Sequence, residues 1–235
     1  MSISSKDQGP LGQATTVRFV GVFSRNGAAV QAAWQHDALF RRQLVAVVTD
    51  RDCAGEVWAR ERNIPVQRIE EPDNRRFSDG LAAYMDEVDA THAVLAFTRL
   101  LEGDLLERYQ DRLINLHPGL LPAFKGLHGF EEAREAGVRF VGSTIHMIDQ
   151  NMDCGRVVIQ TASGFDWQAP ETEARQRQYE ELCVGLVQVC HWLEQGRISN
   201  AGSGTHIQDA SFGEGPFSPR LDSASALELW SDFQA

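Results

Sequence analysis

Short apolar runs punctuate the first half of the chain, and between them hydrophobic residues return every three or four positions. The runs are Val17–Phe23, Leu44–Thr49, Ile64–Val66, Ala93–Phe97 and Leu113–Leu116. Their length and β-branched content predict buried parallel strands, the short Ile64–Val66 run being preceded by Asn63 and interrupted by Pro65. Ala28 to about Leu39, Ala54–Arg62, Phe77–Val88 and Gly103–Tyr109 read as the helices between them; Leu81, Tyr84, Met85 and Val88 share one helical face. Glu70–Arg76 is polar and interrupted by proline, which predicts a loop. Strict alternation of strand and helix predicts an α/β fold, a doubly wound and mostly parallel sheet with helices on both faces.

The pattern changes after Pro122. A helix is expected over Gly129–Ala136. Strands follow at Phe140–Ile148 and Arg156–Thr161, separated by an acidic connector too short for a crossover, so they predict an antiparallel or mixed extension of the sheet. Pro170 can open a long helix, Glu171–Gln195, with an apolar stripe of Leu182, Leu186, Val189 and Leu193. Glycine, serine and proline dominate from Gly196, which predicts a draped or disordered tail until a last helical stretch at Ala224–Phe233. The expected organisation is a flexible arm over 1–16, one catalytic domain over 17–198 and a Gly/Ser-rich extension over 199–235.

Charge narrows the function. With 22 Lys plus Arg against 33 Asp plus Glu, the net charge of −11 argues against a nucleic-acid surface. No run approaches the roughly 18 apolar residues needed to cross a membrane, and no secretion pattern opens the chain. The four cysteines lack the spacing of a zinc site or a dithiol motif. Together these features predict a cytoplasmic protein with small-molecule partners; they specify no oligomeric state.

The chemistry concentrates in Leu113-Ile114-Asn115-Leu116-His117-Pro118-Gly119-Leu120-Leu121-Pro122. Asn115 and His117 alternate with apolar neighbours and so share one face at a strand's carboxyl end, where open α/β sheets place their ligands. An amide can donate to a developing oxyanion, and an imidazole moves protons near neutral pH. Either Asp149 or Asp153, in the connector 148–155, could orient that imidazole. His128 and His146 add ring nitrogens without a metal-binding motif, so no metal is expected. The turn Ser24-Arg25-Asn26-Gly27 can offer backbone N–H groups of Gly27 and Ala28 to an anion, although it matches neither a dinucleotide fingerprint nor a P-loop.

Three ordered segments carry a resemblance. Ile114–Pro122 with Gly126-Leu127-His128, then Gly142-Ser143-Thr144-Ile145-His146, then Met152-Asp153-Cys154-Gly155 resemble the folate-dependent formyltransferases over about Val17 to Ile198. The glycinamide ribonucleotide transformylase branch is nearest; methionyl-tRNA formyltransferases and formyltetrahydrofolate deformylases are more distant. The resemblance implies the family's Rossmann-like domain and 10-formyltetrahydrofolate as donor. It also implies catalytic roles for Asn115 and protonated His117 at the oxyanion, with Asp153 orienting His117. By the same resemblance, Arg99, Leu100, Leu101, Met147, Ile148 and Asp149 border the pterin, and Asn26, Gly27, Ala28, Lys125 and His128 face the acceptor.

The acceptor half departs from the pattern. Gly27-Ala28-Ala29 stands where the nearest branch has Gly-Ser-Asn, and Leu182 falls about where that branch has an acidic residue for the acceptor's sugar. The expected activity is therefore formyl transfer to the primary amine of a small molecule, possible acceptors being a nucleotide sugar or a specialised metabolite. The alternatives are glycinamide ribonucleotide itself, hydrolysis of the donor, and folate binding without catalysis.

Overall fold

The computed structural model describes residues 16–202 and 204–235. The arm expected over residues 1–16 lies, but for Thr16, outside the described residues.

Alternation along the first strand explains the layering. In β1 (Phe19–Phe23) every residue is buried, because Phe19 and Phe23 enter the core on one face of the sheet while Val20 and Val22 enter the core on the other. The parallel strands β2 (Leu44–Thr49), β3 (Val66–Arg68), β4 (His92–Ala96) and β5 (Leu113–His117) complete the N-terminal half. They are separated by α1 (Ala28–His36), α2 (Ala38–Gln43), α3 (Ala54–Glu61), α4 (Asn74–Glu87) and α5 (Asp104–Arg108). The chain continues through α6 (Gly129–Glu135), β6 (Phe140–Val141), β7 (Thr144–Met147), β8 (Val157–Thr161), β9 (Ser163–Gly164) and α7 (Glu171–Glu194). It ends with β10 (Ile198–Ala201), β11 (Gly204–Ile207), β12 (Phe217–Ser218) and α8 (Ala224–Gln234).

The main sheet has the order β12-β8-β7-β5-β4-β1-β2-β3. Chain direction across the sheet reverses between β1 and β4, which opens a crevice beyond the carboxyl ends of the parallel strands. β7, β8 and β12 extend the sheet in antiparallel register, as the short acidic connector requires.

Local chemistry moved several boundaries. The expected helix Ala28–Leu39 is two helices, because Asp37 takes an extended conformation and its carboxylate accepts from Phe40 N at 2.6 Å, capping a new start. Asp73 does the same for Arg76 N at 2.9 Å, so α4 begins at Asn74, inside the segment expected to be loop. The third strand starts after Pro65 rather than at Ile64; Pro65 has no N–H to give the ladder and contributes its carbonyl to Val47 N. The strand expected over Phe140–Ile148 breaks at Gly142, where a Cβ would come within 1.9 Å of the Thr161 carbonyl.

The tail ends in the helix expected from Ala224, but the stretch before it adds strands to the fold. β12 borrows the open edge of β8, pairing Phe217 with Thr161, and α8 packs on α7 through Ala226 and Leu229. Gln188 of α7 holds the turn before α8 by accepting from the backbone N–H groups of Asp222 and Ser223. A composition poor in apolar runs concealed these contacts because the tail supplies only one partner of each.

Candidate active site

β5 delivers the two residues its alternation promised. Asn115 and His117 reach the crevice at its carboxyl end, and His117 is only 5% exposed. β7 runs antiparallel beside them with His146 directly across from Asn115. The connector after β7 then returns Asp153 to the same point, in the left-handed region at φ 51. An aspartate tolerates that conformation better than most residues, and the turn aims its carboxylate back at the strands.

The four side chains form one cluster. Asp153 Oδ2 lies 3.5 Å from His117 Nδ1, and Oδ1 lies 3.5 Å from His146 Nε2. Asn115 Nδ2 approaches His146 Nε2 at 3.1 Å and donates to Asp153 Oδ1 at 3.4 Å. Gly126 N donates to Asp153 Oδ2 at 2.7 Å, joining the loop after β5 to the connector. His146 Nδ1 donates to the Met147 carbonyl at 2.9 Å, which fixes the ring with Nε2 toward the cluster. His117 Nε2 is 3.1 Å from the Phe124 carbonyl, a group that can only accept.

Electrostatics divide the pair. His146 beside it, with the Gly126 N–H and His117, holds the Asp153 carboxyl down to about 2 against the opposing effect of burial. Burial pushes the His117 pKa below its ordinary value, while the Asp153 charge and the Phe124 carbonyl work in the other direction. The site thus holds a carboxylate kept ionised by its neighbours behind an imidazole whose charged form burial disfavours.

A cleft of about 310 Å³ opens in front of this cluster. Its walls include Phe97–Leu101, Leu116, Leu127, Ile148–Met152 and the Asn115–His117 face of β5. Leu100 is exposed at the rim and Leu101 is buried beneath it. Arg99 lines the cleft, but its guanidinium is committed to Asn74 Oδ1 and to the Glu71 and Pro72 carbonyls, with Phe77 under it. That leaves backbone and aliphatic surface for a flat ring.

Other candidate residues sort by strand geometry. Ile148 and Asp149 line the cleft; Met147, one residue from His146 on β7, points to the opposite face and is buried in the core, so it does not line the cleft. Asp149 Oδ1 accepts from Asn151 N and does not contact His117, which leaves the orienting position to Asp153. Lys125 Nζ reaches Cys154 Sγ at 2.8 Å, and His128 is exposed at the start of α6. Asn26, Gly27 and Ala28 sit at the carboxyl end of β1, outside the cleft lining. Gly27 needs its φ of +63, and a Cβ there would meet the Phe23 ring at 2.7 Å. This turn is joined to the cleft wall by Ser24 N with Ala96 O and by Thr98 Oγ1 with Ser24 Oγ. Leu182 is buried in the core and offers nothing polar to an acceptor.

His146 had no assigned role in the sequence pattern beyond a ring nitrogen and a place in the second resembling segment. Its signal was alternation in β7, but only the register of β7 on β5 sets it opposite Asn115.

The formyl transferase family model matches residues 17–189, which contain the whole cluster. The phosphoribosylglycinamide formyltransferase of Haemophilus influenzae is 28% identical over 170 residues, spanning 69% of this chain and 79% of that protein. The chloroplastic phosphoribosylglycinamide formyltransferase of Arabidopsis thaliana is 32% identical over 179 residues, spanning 68% of this chain and 61% of that protein. The crystal structure of glycinamide ribonucleotide transformylase 1 from Symbiobacterium toebii superposes with a TM-score of 0.77 at 26% identity, over 88% of this chain and 100% of that one. This chain belongs to the formyl transferase family and is a folate-dependent N-formyltransferase with 10-formyltetrahydrofolate as its donor.

Proposed function

We propose that the acceptor is glycinamide ribonucleotide, and that Asn115, His117 and Asp153 carry the transfer. The acceptor assignment draws its support from relatives that bear that activity in their names and resemble this chain across the catalytic segments. The observation that carries the mechanism is the Asn115–His117–Asp153 cluster facing the cleft.

The amine nitrogen attacks the formyl carbon, and the C=O electron pair moves to oxygen. Asn115 donates to that oxyanion. His117 turns from the Phe124 carbonyl and takes the tautomer whose Nδ1–H faces Asp153, so that the freed Nε2 accepts the proton released by the amine, and the new imidazolium lies between the oxyanion and Asp153. When the oxyanion collapses, the bond from carbon to the folate nitrogen breaks and His117 returns the proton to that nitrogen. The products are the formamide and tetrahydrofolate, and the imidazole is neutral again. Burial that lowers the His117 pKa suits a base that must begin empty-handed.

A second reading, transfer to another small amine such as an amino sugar of a nucleotide, is favoured by Ala28 and Ala29 at the first turn, two positions that add no side-chain donor to the backbone N–H groups. The test is tetrahydrofolate release by the purified protein with 10-formyltetrahydrofolate and either glycinamide ribonucleotide or an array of other primary amines. Release dependent on glycinamide ribonucleotide is expected. Release only with a different amine replaces the acceptor, rapid release in buffer alone makes the protein a hydrolase, and donor binding without release under any condition overturns catalysis.

A further inference from the structure

Behind His117, away from the cleft, a second set of polar groups grips the backbone that follows it. Gln178 lies well inside α7, a 24-residue helix, and is 4% exposed. A buried amide is tolerated only when its donors are used. Gln178 Nε2 donates to the Pro118 carbonyl at 3.1 Å and to the Gly142 carbonyl at 2.8 Å. Neither carbonyl belongs to the β5–β7 ladder, whose register ends at His117 paired with Thr144. One side chain therefore ties the residue just after His117 to Gly142, two residues ahead of β7.

Thr144 continues the grip. Its Oγ1 donates to the Gly119 carbonyl at 2.7 Å and accepts from Leu121 N at 3.2 Å. Gly119 in turn forms the floor under the imidazole: a Cβ built on it would stand 2.7 Å from His117 Nε2. Any shift of the Pro118–Gly119 backbone is thus a shift in what the reactive nitrogen touches. Cores transmit such displacements because they are close-packed.

We infer that Gln178 is a positioning residue for His117, setting the ring's place through the Pro118 and Gly142 carbonyls rather than by touching substrate. α7 then does more than cover the sheet, since its amide fixes the strand ends from which the base projects. This inference rests on the assignment of His117 as the proton-transfer group.

The same helix supplies a control. Gln188 is also fully buried in α7, but its amide serves the Asp222–Ser223 turn of the tail, remote from β5. Gln178→Met and Gln188→Met each remove buried amide donors while keeping side-chain length. The experiment measures kcat, the donor KM, and the NMR titration of the His117 ring in the full-length protein, with Tm for each variant. For Gln178→Met, kcat is expected to fall about tenfold to a hundredfold with the donor KM within about twofold, as expected for lost orientation, and the His117 ring signals should move. Gln188→Met should lower Tm comparably and leave kcat and the His117 signals unchanged. If Gln178→Met does not fold, Gln178→Asn, which keeps an amide one methylene short of both carbonyls, should show the same changes at smaller size.

Unchanged kcat and unchanged His117 signals in the folded Gln178 variant overturn the inference, as does an equal loss of kcat in Gln188→Met. The NMR readout needs no acceptor, so the inference can fail while the proposed reaction stands. A protein inactive with every amine, yet with His117 signals moved only by the Gln178 substitution, would instead overturn the reaction and keep the positioning role.

Discussion

The cleft at the ends of β4 and β5 and the turn at the end of β1 lie side by side on one sheet, yet they are built from different materials. The cleft is defined by side chains: a carboxylate held by two histidines and a backbone N–H, an amide, and an aliphatic wall. The turn is defined by backbone, with Gly27 in the left-handed region, Ala28 and Ala29 opening α1, and Asn26 Oδ1 engaged by Ala28 N at 3.3 Å. A side-chain site specifies a reaction, because proton transfer and oxyanion stabilisation need particular groups in particular places. A backbone site specifies only a charge sign, because every helix start offers the same N–H groups.

The largest effects that can break this comparison lie in the cleft. His117→Ala and Asp153→Asn should each lower kcat about a hundredfold or more in steady-state assays while leaving the far-UV spectrum unchanged. Asparagine is the useful replacement at position 153 because it also accepts the left-handed backbone there. Wild-type turnover in either variant would remove the distinction between the two regions.

pH gives the next test. His117 must be neutral to begin, and burial holds its pKa below the ordinary value, so kcat/KM should fall as pH drops through a midpoint below about 6.5. Asp153→Asn removes the charge that favours the imidazolium, so the residual activity should show that midpoint at lower pH. Stability should follow its own sign. Asp153 has a depressed pKa, so the stability it supplies is present above about pH 4 and lost as pH falls toward 2; it amounts to about 2 kcal/mol in urea titrations. A midpoint unmoved by Asp153→Asn would separate the carboxylate from the base.

The acceptor turn should respond more gently. Ala28→Ser with Ala29→Asn adds two side-chain donors at the start of α1, and KM for a phosphorylated acceptor should fall about tenfold with donor KM unchanged. No change would show that the turn does not face the acceptor's anion. The smallest effect is reserved for the scaffold: Asp37→Ala removes the cap of α2 and its contact with His191 at 2.9 Å, and should cost about 1 to 2 kcal/mol in urea unfolding without altering kcat.

How much was legible from the chain follows the same division. Apolar runs and helical spacing placed the five parallel strands and the order of elements, since a central strand buried on both faces must be apolar throughout. Asn115 and His117 were readable as a pair because alternation is a local property of one strand. The cap at Asp37, the early start of α4 at Asn74 and the break at Gly142 were less legible, each depending on one side-chain bond or one close approach. In the tail α8 was legible, beginning at Ala224 as expected, whereas β12 was not, because it exists only where β8 offers its edge.

The sequence by itself thus determined an α/β sheet, the strand that carries Asn115 and His117, and three ordered segments that resemble one family. Tertiary structure decided how the connector brings Asp153, which the resemblance had singled out, to within 3.5 Å of His117, that His146 faces Asn115, and that Gln178 holds the carbonyl beyond His117. The reason is physical: strand periodicity is encoded between neighbours, whereas register, connector reach and helix docking are fixed only when distant segments compete for the same buried hydrogen bonds.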